Sequence, residues 1–425
     1  MSAADLNSTI DAIWRIESPR LIAGLARMLR DVGLAEELAQ DALVTALERW
    51  PISGVPEKPG AWLMSAAKNR AIDRLRHKKL HARKAPEIAQ ETEARHAESA
   101  PDPDATLDDE VGDDLLRLIF IACHPVLPAE SRLALTLRLI GGLSVPEIAR
   151  AFLVPEATIA QRIVRAKRTL AKAGAAFELP RGAELAERLS SVLEVVYLIF
   201  NEGYAATAGE DWLRPALCDE ALRLGRILAG LAPGEPEVQG LVALMEIQAS
   251  RNAARVGPSG EPVLLLDQDR RRWDYLLIRR GLAALDRAAK LGGAQGPYAL
   301  QAAIAACHAR AAGADQTDWP RIAALYAELS RVTPSPIVEL NRAVAVGMAQ
   351  GPAAGLEIVD ALAGEPSLKN YHLLPSVRGD FLMKLGRKTE ARTEFERASS
   401  LTRNARERKL LLDRAAACAN SAGDR

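Results

Sequence analysis

Apolar residues recur at helical spacing along most of the chain. Two early stretches repeat them every four positions, first at Leu34, Leu38, Ala42 and Ala46, and then at Leu63, Ala67, Ala71 and Leu75. Between them, residues 51–60 hold three prolines and two glycines, which predicts a loop. Helical spacing resumes at residue 115 and continues towards the end, interrupted by Gly/Pro turns. The pattern predicts an all-α protein.

A repeat with a period near 34 residues is visible in the last part of the chain. Small and larger apolar residues recur at matching offsets, in the sets Ile322, Tyr326, Leu329; Ala354, Ile358, Ala361; and Gly379, Ala391, Phe395, Ala398. This spacing is typical of tetratricopeptide-like repeats, in which helical hairpins stack into a solenoid. Generic helical-hairpin packing in an Ala-rich chain is the alternative.

Composition supports helix and narrows the protein class. The 425 residues are 48% hydrophobic but only 4% aromatic, and that length favours two or three domains. No apolar run reaches the roughly 18 residues of a membrane span, and the N-terminus lacks the layout of a secretory signal. The four widely spaced cysteines, without a CxxC pair, predict buried free thiols in a cytoplasmic protein.

Composition also changes along the chain and predicts four segments. Residues 85–114 contain eleven Asp or Glu and few large apolar side chains, which predicts a flexible acidic linker. The predicted boundaries are 1–84 for a first helical domain, 85–114 for the linker, 115–178 for a second helical domain and 179–425 for a long helical extension.

Residues 141–170 carry the pattern of a helix-turn-helix. Ser144 and Glu147 form a capping box, and a break at Pro155 precedes a second helix. That helix has an apolar face at Ile159, Ile163, Ala166 and Leu170, and a polar face at Thr158, Gln161, Arg162, Arg165, Arg168 and Lys172. An apolar back with an exposed polar front is what a DNA recognition helix requires. The alternative is the solvated basic face of a structural helix.

A second basic segment, residues 68–84, ends the first helical domain. It holds eight Lys or Arg against one acid, Asp73. Such a density of positive charge predicts phosphate contact. By itself this signal is weak, since basic residues at a helix C-terminus also suit the macrodipole.

Taken together and in this order, the segments resemble the sigma-70 family. The match lies in LAEELAQDALVTALERW (34–50), KPGAWLMSAAKNRAIDRLRHKK (58–79), the acidic linker and the helix-turn-helix, and covers about residues 10–175. It is closest to the extracytoplasmic-function group, which keeps only regions 2 and 4. The segments IACHPVL, NEGY, DQDRRRWD and GPYALQAAIAACHA resemble a subgroup with a tetratricopeptide-like extension after region 4.

The resemblance implies partners and site residues. Region 2 would bind the β′ clamp helices of RNA polymerase through Glu36, Glu37, Gln40, Asp41 and Thr45, although ordinary helix solvation also explains this stripe. The −10 element would be melted and held by Lys68, Asn69, Arg70, Asp73, Arg74 and Arg76. Region 4 would contact the β flap and read the −35 element through Thr158, Gln161, Arg162, Arg165, Arg168 and Lys172. The linker would thread the RNA exit path.

One departure affects the recognition helix. The family often has T-V-R/K-S-R where this chain has Thr158-Ile-Ala-Gln-Arg162. Ala160 removes a cation that often reaches the −35 element. Gln161, Arg162 and Arg165 therefore become the better candidates for base readout.

The extension is predicted to regulate the front domains in cis by intramolecular contact. Its most functional-looking segment provides Asp267, Asp269, Arg270, Arg271, Arg272 and Trp273, which would bind a ligand or dock on regions 2 and 4. The alternative is an ion-pair network that caps a helix.

Other functions are less supported. Scattered histidines and the absence of P-loop, GxGxxG, HExxH and GxSxG motifs predict no metal, no cofactor and no enzyme. The alternative function is a helix-turn-helix regulator with a tetratricopeptide-like sensor that acts without polymerase core. The second basic helix and its Pro/Gly loop argue against this alternative.

Overall fold

The computed structural model describes residues 3–83, 107–152, 154–175, 177–180, 182–205, 208–209, 213–258 and 260–420. Within these ranges the chain forms eighteen α-helices, a few short 3-10 turns and one pair of two-residue strands. The predicted all-α class is confirmed. Two compact units divide the chain, Met1–Val195 and Val196–Arg425.

The first unit contains seven helices and the start of an eighth: α1 (Ala3–Leu29), α2 (Val32–Ser53), α3 (Pro59–Arg83), α4 (Leu107–Ala122), α5 (Ala129–Leu139), α6 (Val145–Phe152), α7 (Glu156–Lys172) and α8 (Ala183–Tyr204). The predicted apolar faces form its core. Leu38, Ala42 and Ala46 of α2 are buried, as are Ala67 and Ala71 of α3. Burial of these stripes, more than intrinsic propensity, is what stabilises such helices.

The predicted loop at residues 51–60 is shorter than expected. Helix α2 continues through Pro51 to Ser53, and α3 begins at Pro59. Gly54, with a φ of 80°, ends α2 and donates its N–H to the carbonyl of Trp50. Pro51 has no N–H to donate to the carbonyl of Leu47, so the last turn of α2 lacks one backbone hydrogen bond.

The boundary of the acidic linker also differs from the prediction. Residues 85–106 lie outside the described residues, but 107–114 form the start of α4. Asp114 is buried and pairs with Arg117 at 2.7 Å and with Arg27 of α1 at 3.2 Å. Asp114, which the sequence predicts in a solvated linker, is therefore a buried packing contact, since cations of both α4 and α1 pair with it.

The second unit contains the end of α8 and ten further helices: α9 (Pro215–Leu231), α10 (Pro236–Ala249), α11 (Tyr275–Lys290), α12 (Pro297–Arg310), α13 (Trp319–Val332), α14 (Pro336–Gln350), α15 (Pro352–Ala361), α16 (Leu373–Lys384), α17 (Lys388–Leu401) and α18 (Ala405–Asn420). Strands β1 (Ala208–Gly209) and β2 (Arg403–Asn404) pair in parallel.

From α12 onwards, each helix of the second unit packs against the next. Glycines permit the closest approaches: a Cβ on Gly347 would lie 2.4 Å from a ring carbon of Phe381, and one on Gly355 would lie 2.5 Å from the same ring. Gly379 meets Phe395 in the same way one helix later. This close packing of glycines against phenylalanine rings of neighbouring helices agrees with the predicted tetratricopeptide-like extension. No described helix is both long and apolar enough to span a membrane.

Candidate nucleic-acid interface

The helix-turn-helix is built as the sequence predicts. Glu147 accepts from the backbone N–H of Ser144 at 2.8 Å, and the Ser144 hydroxyl accepts from the N–H of Glu147 at 3.4 Å. This reciprocal capping box fixes the start of α6. Pro155 stands at the N-cap of α7, where its missing N–H costs no helical hydrogen bond.

The two faces of α7 also follow the prediction. The side chains predicted to anchor it, Ile159, Ile163, Ala166 and Leu170, are all buried. On the other face, Gln161, Arg165, Arg168 and Lys172 are exposed, while Thr158 and Arg162 are half-buried. Four of these residues are cations: Arg162, Arg165, Arg168 and Lys172. Across the described residues, none of these four has a carboxylate within ion-pair distance. A helix with an apolar anchor and uncompensated exposed cations is suited to phosphate and base contacts.

The second basic helix, α3, presents part of its predicted set to solvent. Lys68 and Asn69 are exposed near its middle. The side chains of Asp73 and Arg76 lie outside the described residues. The two remaining arginines have partners inside the unit.

Those two arginines of α3 contact the predicted polymerase-binding helix α2. Arg70 donates to Thr45 Oγ1 at 2.8 Å and lies 3.5 Å from a carboxylate oxygen of Asp41. Arg74 pairs with Glu37 at 2.9 Å. The charged side chains in both pairs are about half exposed. Each ion pair therefore contributes between a few tenths of a kcal/mol and about 1 kcal/mol to the stability of the fold. Such weak pairs leave the arginines able to exchange a carboxylate for a phosphate.

Glu36 is not part of the exposed stripe that the sequence predicts on α2. Its side chain is 4% exposed and accepts from Arg138 Nε of α5 at 2.7 Å and from Gln40 at 2.6 Å. Lys167 of α7 forms an ion pair with its other oxygen, outside hydrogen-bond geometry. The placement of Glu36 on a solvent-facing stripe is therefore wrong, because α5 and α7 cover it.

The sequence pattern does not predict that Arg138 and Lys167 take part in this contact. They lie 102 and 131 positions after Glu36, and no local spacing relates them. The other four residues of the predicted stripe, Glu37, Gln40, Asp41 and Thr45, remain exposed or half-buried.

A second set of contacts joins α1 to the helix-turn-helix. Arg15 pairs with Glu147 at 2.5 Å, so the capping-box acid also bears an interhelical ion pair. Gly142 has a φ of 67° and lies so close to α1 that an added Cβ would be 3.2 Å from Arg15 Cα. Helices from both predicted DNA-binding regions thus pack together within the first unit.

In the extension, the structure separates the predicted regulatory residues into two groups. Arg271 and Asp269 are exposed and form a bidentate pair, whose hydrogen bonds lower the pKa of Asp269. Asp267 is exposed, and Arg272 donates to the carbonyl of Val256 at 3.5 Å. The pair between Asp269 and Arg271 fits the alternative of a local ion-pair network.

The other group points inward. Trp273 is 4% exposed, and the guanidinium of Arg270 lies 4.8 Å from its ring centroid. The following residue, Asp274, caps α11 by accepting from two backbone N–H groups at 2.9 and 3.1 Å. The segment therefore combines a helix cap with a buried arginine–tryptophan contact.

Comparisons with known families match both DNA-binding regions. Sigma-70 region 2 matches residues 13–80, and sigma-70 region 4 matches residues 117–170. A family of unknown function (DUF6596) matches residues 188–289 in the extension.

Individual relatives cover either most of the chain or little more than a third of it. An uncharacterized protein of Rhizobium meliloti is 46% identical over 390 residues, which is 92% of this chain and 91% of that protein. The probable ECF RNA polymerase sigma factor SigI of Mycobacterium tuberculosis is 29% identical over 163 residues, 38% of this chain and 54% of its own length. The ECF RNA polymerase sigma factor SigK of a Mycobacterium species is 29% identical over 160 residues, 36% of this chain and 76% of its own length.

Proposed function

Because the chain belongs to the sigma-70 family of RNA polymerase sigma factors, in the extracytoplasmic-function group with a C-terminal extension, we propose that three of its helices bind three different targets. Helix α7 reads the −35 element, α3 opens and holds the −10 element, and α2 binds the β′ clamp helices. The observation that carries the proposal is α7 itself, which is anchored by four buried side chains and presents four cations without described carboxylate partners.

Readout by α7 follows from which side chains reach outward. Gln161 near its N-terminus is exposed, with Arg162 half-buried beside it. Gln and Arg are the side chains that form paired hydrogen bonds with adenine and guanine edges in the major groove. Arg168 and Lys172, about two and three turns further along, would neutralise phosphates. Substitutions at Gln161 should therefore change base preference, while those at Arg168 should weaken binding to all sequences.

We assign melting of the −10 element to α3. Lys68 and Asn69 are exposed, and Arg70 and Arg74 are held by weak pairs with α2. Exchange of those carboxylates for DNA phosphates would free Asp41 and Glu37 for polymerase. The DNA-binding and polymerase-binding steps would then support each other.

The packing of the first unit also requires a rearrangement on promoter DNA. The −10 and −35 elements lie about 25 base pairs apart, which is about 85 Å of B-form DNA. In the structure α7 contacts α2 through Lys167 and Glu36, and α3 packs directly on α2. Helices so close together cannot occupy both elements at once. We therefore propose that α7 and α5 leave α2 when the promoter is bound.

Holoenzyme formation is the first test of these assignments. The full-length chain should co-elute with polymerase core and support run-off transcription from a promoter selected from a genomic library. Glu37→Gln and Asp41→Asn should weaken co-elution, while Arg20→Gln, an exposed cation on α1, should not. A chain that binds DNA but never polymerase core would favour a helix-turn-helix regulator instead.

Regulation by the extension in cis is a separate proposal and needs a separate test. The first half of α8 belongs to the first unit: Arg132 donates to Ser191 and pairs with Glu194 at 2.9 Å, and Arg188 donates to the carbonyl of Phe120 at 2.9 Å. A truncation should therefore follow Ala205, so that α8 stays whole. Unchanged transcription and unchanged holoenzyme affinity in the truncated chain would refute regulation by the extension.

A further inference from the structure

A cluster of cationic side chains lies inside the second unit, on residues of the extension. It consists of Arg251 after α10, Arg270 before α11, and the rings of Trp273 and His308. We call it the arginine cluster. Arg251 lies 5.9 Å from the Trp273 ring centroid, and Arg270 lies 4.8 Å from it. His308, on α12, accepts from Arg270 through its backbone carbonyl at 2.5 Å.

The cluster is buried, and several of its polar atoms have no partner. Arg251 is 9% exposed, His308 is 8% and Trp273 is 4%. Within the described residues, Arg251 Nε, Trp273 Nε1 and His308 Nδ1 form no hydrogen bond, although nearly all buried polar atoms in folded proteins do. The arginine Nε and the indole Nε1 can only donate, so these two neighbouring groups indicate a missing acceptor.

The charges of the cluster are also uncompensated. Among the described residues, neither Arg251 nor Arg270 has a carboxylate within 4.0 Å, and their hydrogen-bond partners are neutral: Tyr204, Gln248, Thr317 and backbone carbonyls. These positive charges change the pKa values of neighbouring groups. Burial, and then Arg251 and Arg270, lower the pKa of His308 to about 4. Burial and Arg251 lower the pKa of Arg270, against an opposing effect of Asp315. Buried cations normally have an anion beside them.

Stacking on aromatic rings explains part of this arrangement but not the whole. The aromatic faces here are covered by arginines: Arg270 lies over Trp273, and Arg255 lies 3.5 Å from the Tyr204 ring centroid. Cation–π contact offsets some desolvation of a guanidinium. It provides no acceptor for Nε or for the indole N–H, and it does not relieve repulsion between two arginines.

We propose that the arginine cluster binds a small oxyanion, a phosphate or carboxylate group held by Arg251 and Arg270. Arg251 has a buried Nε–H without a described acceptor, and the guanidinium groups of Arg251 and Arg270 both supply positive charge for such an anion. The indole N–H of Trp273 supplies a further donor. Entry is from the side of Arg270, which is only half-buried. Because the aromatic faces are already covered, no nucleobase is expected to stack there. The proposal does not depend on the proposed function.

Binding is measured with inorganic phosphate and with malonate, each titrated into the full-length chain against chloride at matched ionic strength. Isothermal calorimetry gives the affinity, and the ¹⁵N-indole resonance of Trp273, assigned from Trp273→Phe, reports on the site. We expect saturable binding of one of the two probes and a shift of that resonance. A response to phosphate alone identifies a phosphate ligand, and a response to malonate alone a carboxylate. Equal responses to chloride would overturn the proposal.

A neighbouring pair of arginines provides the matched variants. Arg270→Gln should weaken binding about tenfold or more, since a charge-assisted hydrogen bond is lost. Arg271→Gln, whose side chain is 90% exposed and pairs with Asp269, should leave binding unchanged. Equal loss in both variants would overturn the proposal. Should Arg270→Gln fail to fold, the indole shift in the unmodified chain decides by itself.

An internal counter-ion is the competing explanation. Glu210 and Asp211 lie outside the described residues but follow α8 closely in sequence. The double variant Glu210→Gln/Asp211→Asn separates the two explanations. If phosphate or malonate bind only in that double variant, the chain's own acids fill the cluster and the proposal is wrong. Binding of similar strength in both chains supports it.

Discussion

The contact between Glu36 and helices α5 and α7 yields the most direct prediction about stability. The Glu36 side chain is 4% exposed, and its cationic partners Arg138 and Lys167 are 18% and 25% exposed. Glu36→Gln keeps the shape and one acceptor but removes the charge. Two largely buried cations then lose their counter-charge.

The expected loss follows from the burial of the three groups. Hydrogen bonds to charged groups contribute about 1.5–3 kcal/mol each, and removal of one partner of a fully buried pair costs about 3–5 kcal/mol. Because both cations keep some water contact and glutamine retains an acceptor, we expect Glu36→Gln to cost about 2–3 kcal/mol. The adjacent variant Glu37→Gln removes only an exposed pair with Arg74, and should cost less than about 1 kcal/mol.

Urea unfolding provides the measurement. Trp50 and Trp62 lie in the first unit, with ring centroids 5.4 Å apart, so tryptophan fluorescence includes its unfolding. A double-mutant cycle with Lys167→Gln should return a coupling energy of about 1 kcal/mol or more. If Glu36→Gln costs no more than Glu37→Gln, or the coupling is zero within error, α5 and α7 are not held by this buried charge.

The same substitution links stability to promoter binding. If α7 must leave α2 to reach the −35 element, Glu36→Gln favours the open arrangement. We then expect the free Glu36→Gln protein to bind a −35 duplex at least about tenfold more tightly. The apparent affinity is reduced in proportion to the population of the open state, and the substitution raises that population. Reduced or unchanged affinity in a variant that has lost stability would contradict the rearrangement.

Three further predictions concern other parts of the chain. Arg168→Gln should lower the slope of log binding constant against log salt by about 0.9, since one phosphate contact is lost, and Arg271→Gln should leave it unchanged in the same filter-binding titration. Burial, and then the neighbouring arginines, lower the pKa of His308 to about 4 in the folded protein. In the unfolded chain its pKa is about 6.5, so between pH 4 and pH 6.5 the unfolded state binds more protons than the folded state. Stability should therefore fall by up to about 3 kcal/mol as pH drops from 6.5 to 4, and urea melts of His308→Gln should lack that part of the slope. Gly347→Ala places a Cβ 2.4 Å from a phenylalanine ring carbon and should destabilise the extension by about 1–3 kcal/mol by calorimetry, whereas Gly230→Ala, with nothing within 4 Å, should be neutral or stabilising.

Local signals in the sequence were sufficient for the helix-turn-helix. The capping box spans three positions, and the buried stripe of α7 repeats every three or four, so both are set by the geometry of one helix. The same reasoning failed for the acidic residues at 107–114. Asp114 pairs with Arg117 three positions away, but its second partner Arg27 lies 87 positions earlier in the chain, a separation that carries no periodic signal.

The sequence by itself thus determined the helical class, the recognition helix and its two faces, because each depends on side chains within one or two turns. Only the tertiary structure decided which charges are covered. It buried Glu36 beneath two helices more than a hundred residues away while its neighbour Glu37 stayed exposed. In the same way, Arg270 packs against the ring of Trp273, whereas Arg271 is exposed to solvent. Adjacent residues of the same type differ here because burial is set by what packs against each from elsewhere in the chain.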